Sequence, residues 1–213
     1  MGSPGVDVPR PAGADPFRER LLDGLAESIA ERGYRDTTVA DIVRHAKTSK
    51  RTFYAHFAGK NECLLDLLDI ENARMVEAIR AAVDPHGHWH TQIEQAIDSY
   101  VRTVAARPTI WLTWIREFPA LGDAARPTQR RETQRLIDML MDLTRSPGFR
   151  EAGLPGITRP LALILLGGLR ELTAYSLEDG EDIRGIADTA VAACAALVSR
   201  GYPGAHQQAR ERA

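Results

Sequence analysis

The chain has 213 residues, 44% of them hydrophobic, and a formal net charge of −2 at pH 7. A chain of this length and apolar content buries a sizeable core, which excludes disorder throughout. Its longest apolar run, 161–168, is far shorter than the roughly 18 residues that cross a bilayer, and its first residues lack a secretory signal pattern. Cys63 and Cys194 lie in apolar helical surroundings, which indicates small buried side chains rather than disulfides or zinc ligands. We therefore expect a soluble, cytoplasmic protein with no membrane partner.

A long helix followed by a short one is predicted near the N-terminus. The range 17–29 carries apolar residues at every fourth position, and Gly33 can end this first helix. Thr37 or Thr38 is suited to cap a second helix at 39–46, whose apolar residues share one face.

A third short helix and a long fourth one follow after a tight turn. Ser49 is suited to cap the third helix, and Phe53 and Phe57 lie four residues apart on its buried side. The fourth helix begins at Lys60 and continues until Pro85 stops it. Two short helices joined by a tight turn are the arrangement of a helix-turn-helix, whose second helix enters the major groove of DNA. The same arrangement also occurs in helical proteins that bind no DNA.

The rest of the chain carries helical patterns as well, separated by prolines and glycines. The predicted helices cover 89–106, 109–118, 126–144, 158–177 and 183–199. No stretch alternates strictly between apolar and polar residues, and no repeat of fixed period is present. The sequence therefore predicts an all-α protein of about nine helices.

Positive charge is concentrated in the segment 43–60, although the whole chain is slightly acidic. The segment has no acidic residue and five basic ones, Arg44, Lys47, Lys50, Arg51 and Lys60, which leaves −7 for the rest once these five charges are removed from −2. The outward positions of the third helix are donors that suit phosphates and base edges: Lys50, Arg51, Thr52, Tyr54 and His56. This pattern favours a DNA-binding face, and charge alone leaves open a solvated helix face.

The DNA-binding signature of TetR-family regulators resembles residues 37–65 of this chain, TTVADIVRHAKTSKRTFYAHFAGKNECLL. The resemblance extends over about 17–68 and implies a homodimeric repressor that binds a palindromic operator in double-stranded DNA and is released by a small-molecule effector. It also implies three sets of contacts: Thr37 and Thr38 near phosphate; Ser49, Lys50, Arg51 and Thr52 near bases; Tyr54, His56 and Lys60 on the DNA backbone. Lys60 has a separate argument, because a cation at a helix N-terminus is unfavourable unless an anion lies nearby.

The turn departs from the family pattern, because Lys47 and Thr48 replace the usual glycine and small apolar residue. If Lys47 adopts the left-handed conformation, strain of about 1 to 2 kcal/mol must be absorbed. By the resemblance, the chain has four regions: a flexible arm (1–15), the helix-turn-helix domain (16–59), a ligand-binding and dimerisation domain (60–200) and a flexible tail (201–213). The arm is poor in basic residues, so we do not expect it to enter the minor groove.

An aromatic face on one short helix is the candidate wall of an effector pocket. Core packing explains such a face equally, whereas the resemblance favours a mostly apolar effector. The candidate ligand-binding residues are Met75, Tyr100, Trp111, Trp114, Ile115, Phe118 and Met139, with Met141 as a further wall and Arg102, Arg116 or Glu117 as polar anchors.

The last two long helices are apolar on more than one face and rich in small residues, which indicates a further partner. By the resemblance, this partner is the same pair of helices in a second subunit, and a monomeric core is the alternative. The candidate interface residues are Leu165, Gly168, Leu169, Leu172, Ala190, Cys194 and Leu197.

Three histidines, His86, His88 and His90, alternate in a loop without nearby cysteines or an acidic cluster. We interpret this loop as solvated and assign no metal and no cofactor. The motifs of common hydrolases, phosphate-binding loops and zinc proteases are absent, so we do not expect an enzyme. The alternatives are a constitutive DNA-binding protein with a filled core and no effector pocket, and an all-α enzyme built on convergent acids and histidines.

Overall fold

The computed structural model describes residues 15–199, and all regular elements in this range are helices. The ten α-helices are α1 (Pro16–Asp36), α2 (Val39–His45), α3 (Lys50–His56), α4 (Lys60–Ala82), α5 (Trp89–Ala106), α6 (Pro108–Arg116), α7 (Arg126–Leu143), α8 (Pro147–Glu151), α9 (Arg159–Glu178) and α10 (Ala187–Ser199). Short 3-10 turns occur at Phe118–Leu121, Asp123–Ala125 and Ile183–Ile186. The predicted all-α fold is confirmed. The predicted arm, apart from Asp15, and the predicted tail lie outside the described residues.

The chain divides into two compact units, residues 1–67 and 68–213, and the boundary falls inside α4. In the first unit, α1 packs against α2 and α3. The largest fully buried side chains of this unit are Leu21, Leu25, Ile29, Ile42, Phe53, Phe57 and Leu64. The fourfold apolar spacing therefore identified the buried face of α1, except that Phe17 is 46% exposed at its start.

The helix α1 bends at Gly33 instead of ending there. Gly33 has φ +78°, a conformation that glycine adopts without a steric penalty, and helical structure continues to Asp36. Thr37 then ends the helix, because its N–H donates to the Tyr34 carbonyl at 3.3 Å and its hydroxyl donates to the Gly33 carbonyl at 2.7 Å.

The second unit contains one helix, α8, that the sequence pattern did not indicate. It has only five residues, too few for a periodic apolar pattern. The Gly148 N–H donates to the Pro85 carbonyl at 3.0 Å, and a Cβ on Gly148 would lie 2.0 Å from the Gly87 carbonyl oxygen. Close backbone contact with the loop after α4 therefore places α8.

The core of the second unit is formed by side chains from α4 to α10. Its best-buried members include Val76, Val104, Ile137, Phe149 and Ala162. None of the helices within residues 15–199 combines the length and the apolarity needed to cross a membrane.

Candidate nucleic-acid interface and ligand cavity

The turn between α2 and α3 is flanked by a side-chain cap on each helix. The Thr38 Oγ1 accepts from the Asp41 N–H at 3.3 Å, and the Asp41 carboxylate accepts from the Thr38 N–H at 3.0 Å. The Ser49 Oγ accepts from the Thr52 N–H at 3.1 Å. These bonds satisfy N–H groups that a helix start leaves open. Lys47, in the turn itself, has φ 49°, which is the left-handed conformation expected where the family glycine is missing.

The helix α3 is anchored by aromatic side chains and presents a polar outer face. Phe53 and Phe57 are 0% and 2% exposed, whereas Tyr54 is 59% exposed. The Tyr54 ring stands edge-on to Phe53, with 5.4 Å between ring centres. The predicted outward residues are all exposed or half-buried: Lys50, Arg51, Thr52, Tyr54 and His56.

Three cations of the basic segment, Lys47, Lys50 and Arg51, are exposed and contact no carboxylate in the described part of the chain. Arg44 differs, because it contacts the Glu31 carboxylate at 3.1 Å. Positive charge without an acidic partner is therefore concentrated at the turn and at the first turn of α3.

An ion-pair network on Glu31 braces α2 against α1. Glu31 accepts from the His45 Nε2 at 3.0 Å and from Arg44, and a neighbouring Arg32 contacts it at 3.1 Å. These hydrogen bonds, with His45 contributing most, lower the pKa of Glu31 to about 2. Glu31 is therefore ionised at every pH at which the protein folds, and Arg44 is held by it.

Lys60 is bound within the first unit at the start of α4. Its Nζ donates to three carbonyl oxygens, of Tyr34 at 2.8 Å, Arg35 at 3.2 Å and Thr37 at 2.8 Å. An ammonium group has three donors, so these acceptors can use all of them. Carbonyls at the end of α1 thus stabilise this cation, as a helix C-terminus does. Thr37 itself is 2% exposed. These contacts favour a structural role for both side chains, and their contact with phosphate stays a prediction.

A cavity of about 220 Å³ lies within the second unit. Its walls come from α4, α5, α6, α7, α9 and α10. Six of the predicted ligand-binding residues line it: Met75, Tyr100, Trp111, Trp114, Ile115 and Met139. Phe118 does not, because α6 ends at Arg116 and Phe118 is buried in the following 3-10 turn. Binding by these residues stays a prediction.

Of the described residues that line the cavity, only Arg170 carries a charge. Its guanidinium carbon lies 5.2 Å from the centre of the Trp114 ring, and its Nη2 donates to the Ile115 carbonyl at 2.6 Å. Burial lowers the pKa of Arg170. The sequence analysis missed this residue and named Arg116 instead, which forms ion pairs with Glu171 and Glu178 and does not line the cavity. Spacing on α9 was the available signal, since Arg170 lies one helical turn after the lining residue Leu166.

Glu132 is a second polar group near the cavity that the sequence analysis missed. It is 0% exposed on α7, and its Oε2 accepts from the Trp114 Nε1 at 2.8 Å. Its Oε1 is buried with no hydrogen-bond partner among the described residues. Burial raises the pKa of Glu132 to about 7. The signal was present, because Glu132 lies four residues before the buried Leu136 and therefore on the inward face of α7.

The predicted interface residues of α9 and α10 fall into three groups. Leu165, Leu169 and Cys194 line the cavity, and Ala190 is 4% exposed in the core. Leu172 is half-buried, whereas Gly168 and Leu197 are exposed. Exposed large side chains on the same helices include Ile164 at 63% and Tyr175 at 60%. The helix α9 therefore lines the cavity on one side and exposes apolar residues on the other.

The histidine loop is tied to the start of α5. The His88 Nδ1 accepts from the His90 N–H at 3.3 Å, and the His90 Nδ1 lies 3.2 Å from the Glu94 carboxylate. Within residues 15–199, no three His, Cys, Asp or Glu side chains come together as a set of metal ligands. The contacts of this loop are those of a helix cap.

The sequence model described as "Bacterial regulatory proteins, tetR family" matches residues 21–67. The chain is 31% identical over 61 residues to the HTH-type transcriptional regulator QacR of Staphylococcus aureus, covering 29% of this chain and 32% of that protein. It is 30% identical over 106 residues to the HTH-type transcriptional regulator BetI of Brucella melitensis, covering 48% of this chain and 54% of that protein. An uncharacterized HTH-type transcriptional regulator of Haemophilus influenzae is 22% identical over 126 residues, 59% of this chain and 62% of that protein. The chain thus spans less than two thirds of the length of these relatives.

Solved structures resemble the chain over most of its length. The fatty acid degradation regulator FadR from Bacillus halodurans has a TM-score of 0.72 at 18% identity, covering 84% of this chain and 94% of that one. The regulator FadR from Bacillus subtilis, in complex with stearoyl-CoA, has a TM-score of 0.71 at 17% identity, covering 85% and 97%. These likenesses show a shared fold. With this fold and the family match over residues 21–67, the chain belongs to the tetR family of bacterial regulatory proteins.

Proposed function

We propose that this chain is a transcriptional repressor that binds a palindromic operator as a homodimer and is released by a mostly apolar small molecule. The observation that carries the DNA-binding role is the set of exposed cations without acidic partners, Lys47, Lys50 and Arg51, at the turn and on α3. Cations in this position donate to phosphates and to base edges when α3 lies in the major groove. Membership of a family of regulatory proteins supports the same role.

The residues of α3 divide between two tasks in this proposal. Lys50, Arg51 and Thr52, with the cap Ser49, face base edges at the start of the helix, which is the end that enters the groove. Tyr54 is exposed with a free edge, and we assign it and His56 to the DNA backbone.

Selection of bound fragments from a random DNA pool tests DNA binding. We expect one enriched palindromic sequence, and Lys50→Ala should lower the preference for it over a mismatched duplex by about 1 to 3 kcal/mol. Arg150→Gln is the control, because Arg150 is an exposed arginine of the second unit and lies outside the proposed interface. If no sequence is enriched, or if the control matches the effect of Lys50→Ala, the proposal fails.

Dimerisation through α9 and α10 is supported by their exposed apolar residues, since a monomer would leave these side chains in water. A dimer also suits a two-fold operator, because two linked recognition helices bind two half-sites. Gly168→Leu tests it: a Cβ there would meet no atom within 4 Å in the subunit, so the variant should fold and lose only the partner. Gly185→Leu is the matched control, with equally open space outside these two helices. Sedimentation at micromolar concentration that shows a wild-type monomer would contradict the dimer.

The cavity supports regulation by a ligand over constitutive DNA binding, because a constitutive protein needs no empty apolar space of this size. A protein of the same fold in complex with stearoyl-CoA gives a precedent for a ligand with a long apolar part. We assign the coupling to α4, which begins at Lys60 and supplies Met75 and Ile79 to the cavity wall. Ligand and operator must then weaken each other's binding by the same factor, typically about 5- to 150-fold. Unequal factors would exclude this coupling.

A further inference from the structure

A polar cleft adjoins the apolar cavity in the second unit. The cleft is lined by Gln129, Arg130, Arg131, Thr133, Gln134 and Arg159. Thr133 also lines the cavity, so the two recesses share a wall on α7. One molecule can therefore extend past Thr133 from the apolar cavity into the cleft.

Two of the arginines in the cleft have no acidic partner in the described part of the chain. Arg130 and Arg159 are exposed, and Arg159 donates to the amide oxygen of Gln134 instead of a carboxylate. Arg131 differs, because it lies 3.5 Å from the Asp69 carboxylate. Arg130 and Arg159 therefore provide positive charge that an anion can neutralise, and a guanidinium pairs well with carboxylate or phosphate.

The cavity itself offers no partner for a cation. Its described lining includes no carboxylate, and its one charged residue, Arg170, is itself a cation. Arg170 already donates to the Ile115 carbonyl and stacks near Trp114. The nearest charged groups at the cleft end are thus arginines, and a cationic or zwitterionic ligand gains nothing there.

We propose that the ligand is an amphipathic anion, with its apolar body in the cavity and a carboxylate or phosphate head on Arg130 and Arg159 in the cleft. This inference rests on the proposed ligand-binding function and adds the chemical class of the ligand. Thr133 lies at the crossing between the two parts, where its methyl group suits the apolar body and its hydroxyl suits the head.

Calorimetric titration of the full chain with three probes of equal chain length tests the proposal: decanol, decanoate and decyl phosphate, each below its micelle concentration. We expect both anions to bind at least about tenfold more tightly than decanol, and their order distinguishes a carboxylate from a phosphate head. The variant Arg130→Gln/Arg159→Gln should lower the affinity for the anions about tenfold and leave the affinity for decanol unchanged. Arg150→Gln, an exposed arginine outside the cleft, should change neither.

Each other outcome overturns a defined part of the proposal. Equal binding of all three probes excludes the anionic class but keeps an apolar ligand site. Loss of anion binding in Arg170→Gln, with no loss in the double variant, places the head inside the cavity instead of the cleft. Binding of none of the probes rejects the ligand class and the ligand-binding function together, whereas DNA selection still decides the DNA-binding role independently.

Discussion

The buried carboxyl of Glu132 should make the stability of the protein depend on pH in a defined way. Burial, the largest cause, raises the pKa of Glu132 from 4.5 to about 7, the nearby Asp69 adds to the rise, and the hydrogen bond from Trp114 opposes it. Because the Oε1 has no partner in residues 15–199, the ionised form has one hydrogen bond where water would give it several.

The sign follows from the two pKa values. The folded protein holds this proton more tightly than the unfolded chain, whose carboxyl titrates near 4.5. The stability that the protonated group contributes is therefore fully present below the unfolded pKa and is lost as the pH rises through about 7. Between pH 5 and pH 8, this one group should lower the free energy of unfolding by about 2 to 3 kcal/mol.

Replacement of Glu132 by glutamine removes the titration and keeps an amide oxygen that can accept from the Trp114 Nε1. The assay is urea unfolding followed by far-UV circular dichroism at fixed protein concentration, at half-unit intervals from pH 5 to pH 8.5. Since histidines titrate in the same range, the readout is the difference in unfolding free energy between wild type and Glu132→Gln. We expect Glu132→Gln to be the more stable at pH 8 and the advantage to shrink as the pH falls towards 5.

A matched control is Glu151→Gln, which removes an exposed carboxylate of the same unit. Its difference from wild type should stay constant across the pH range. If Glu132→Gln also shows a constant difference, Glu132 is not desolvated in solution, and the reasoning from its burial is wrong.

Three further substitutions test the first unit. Gly24→Ala should destabilise it by about 2 kcal/mol or more, measured by urea unfolding, because a Cβ would lie 2.6 Å from the Ile42 carbonyl oxygen and 2.9 Å from the Ala46 nitrogen; stability equal to wild type would contradict this close approach of α1 and α2. Lys47→Gly should raise the unfolding free energy by about 0.5 kcal/mol, because glycine relieves the left-handed strain at the cost of chain entropy, and a loss of stability would refute the strain. Lys60→Met should speed amide exchange at the end of α1 and leave the slope of log K for DNA against log salt unchanged, whereas a slope flatter by about 0.9 for each phosphate lost would assign Lys60 to phosphate instead.

The sequence by itself predicted much of the first unit. Fourfold spacing found the buried face of α1, and the caps Thr38 and Ser49 lie at the starts of α2 and α3. These features are local, since a cap and an amphipathic face depend on residues within one or two turns. The left-handed turn at Lys47 was predicted for the same reason, from a single missing glycine.

Only the tertiary structure decided which polar groups serve which purpose. Lys60 and Arg44 looked equivalent to Lys50 in the sequence, yet one binds carbonyls of α1 and the other binds Glu31. The pairing of Glu132 with Trp114, and the adjacency of the arginine cleft to the cavity through Thr133, join residues from different helices or different faces. Periodicity identifies the face of a helix that is buried, but the partner across that face depends on how the helices pack, which no local pattern encodes.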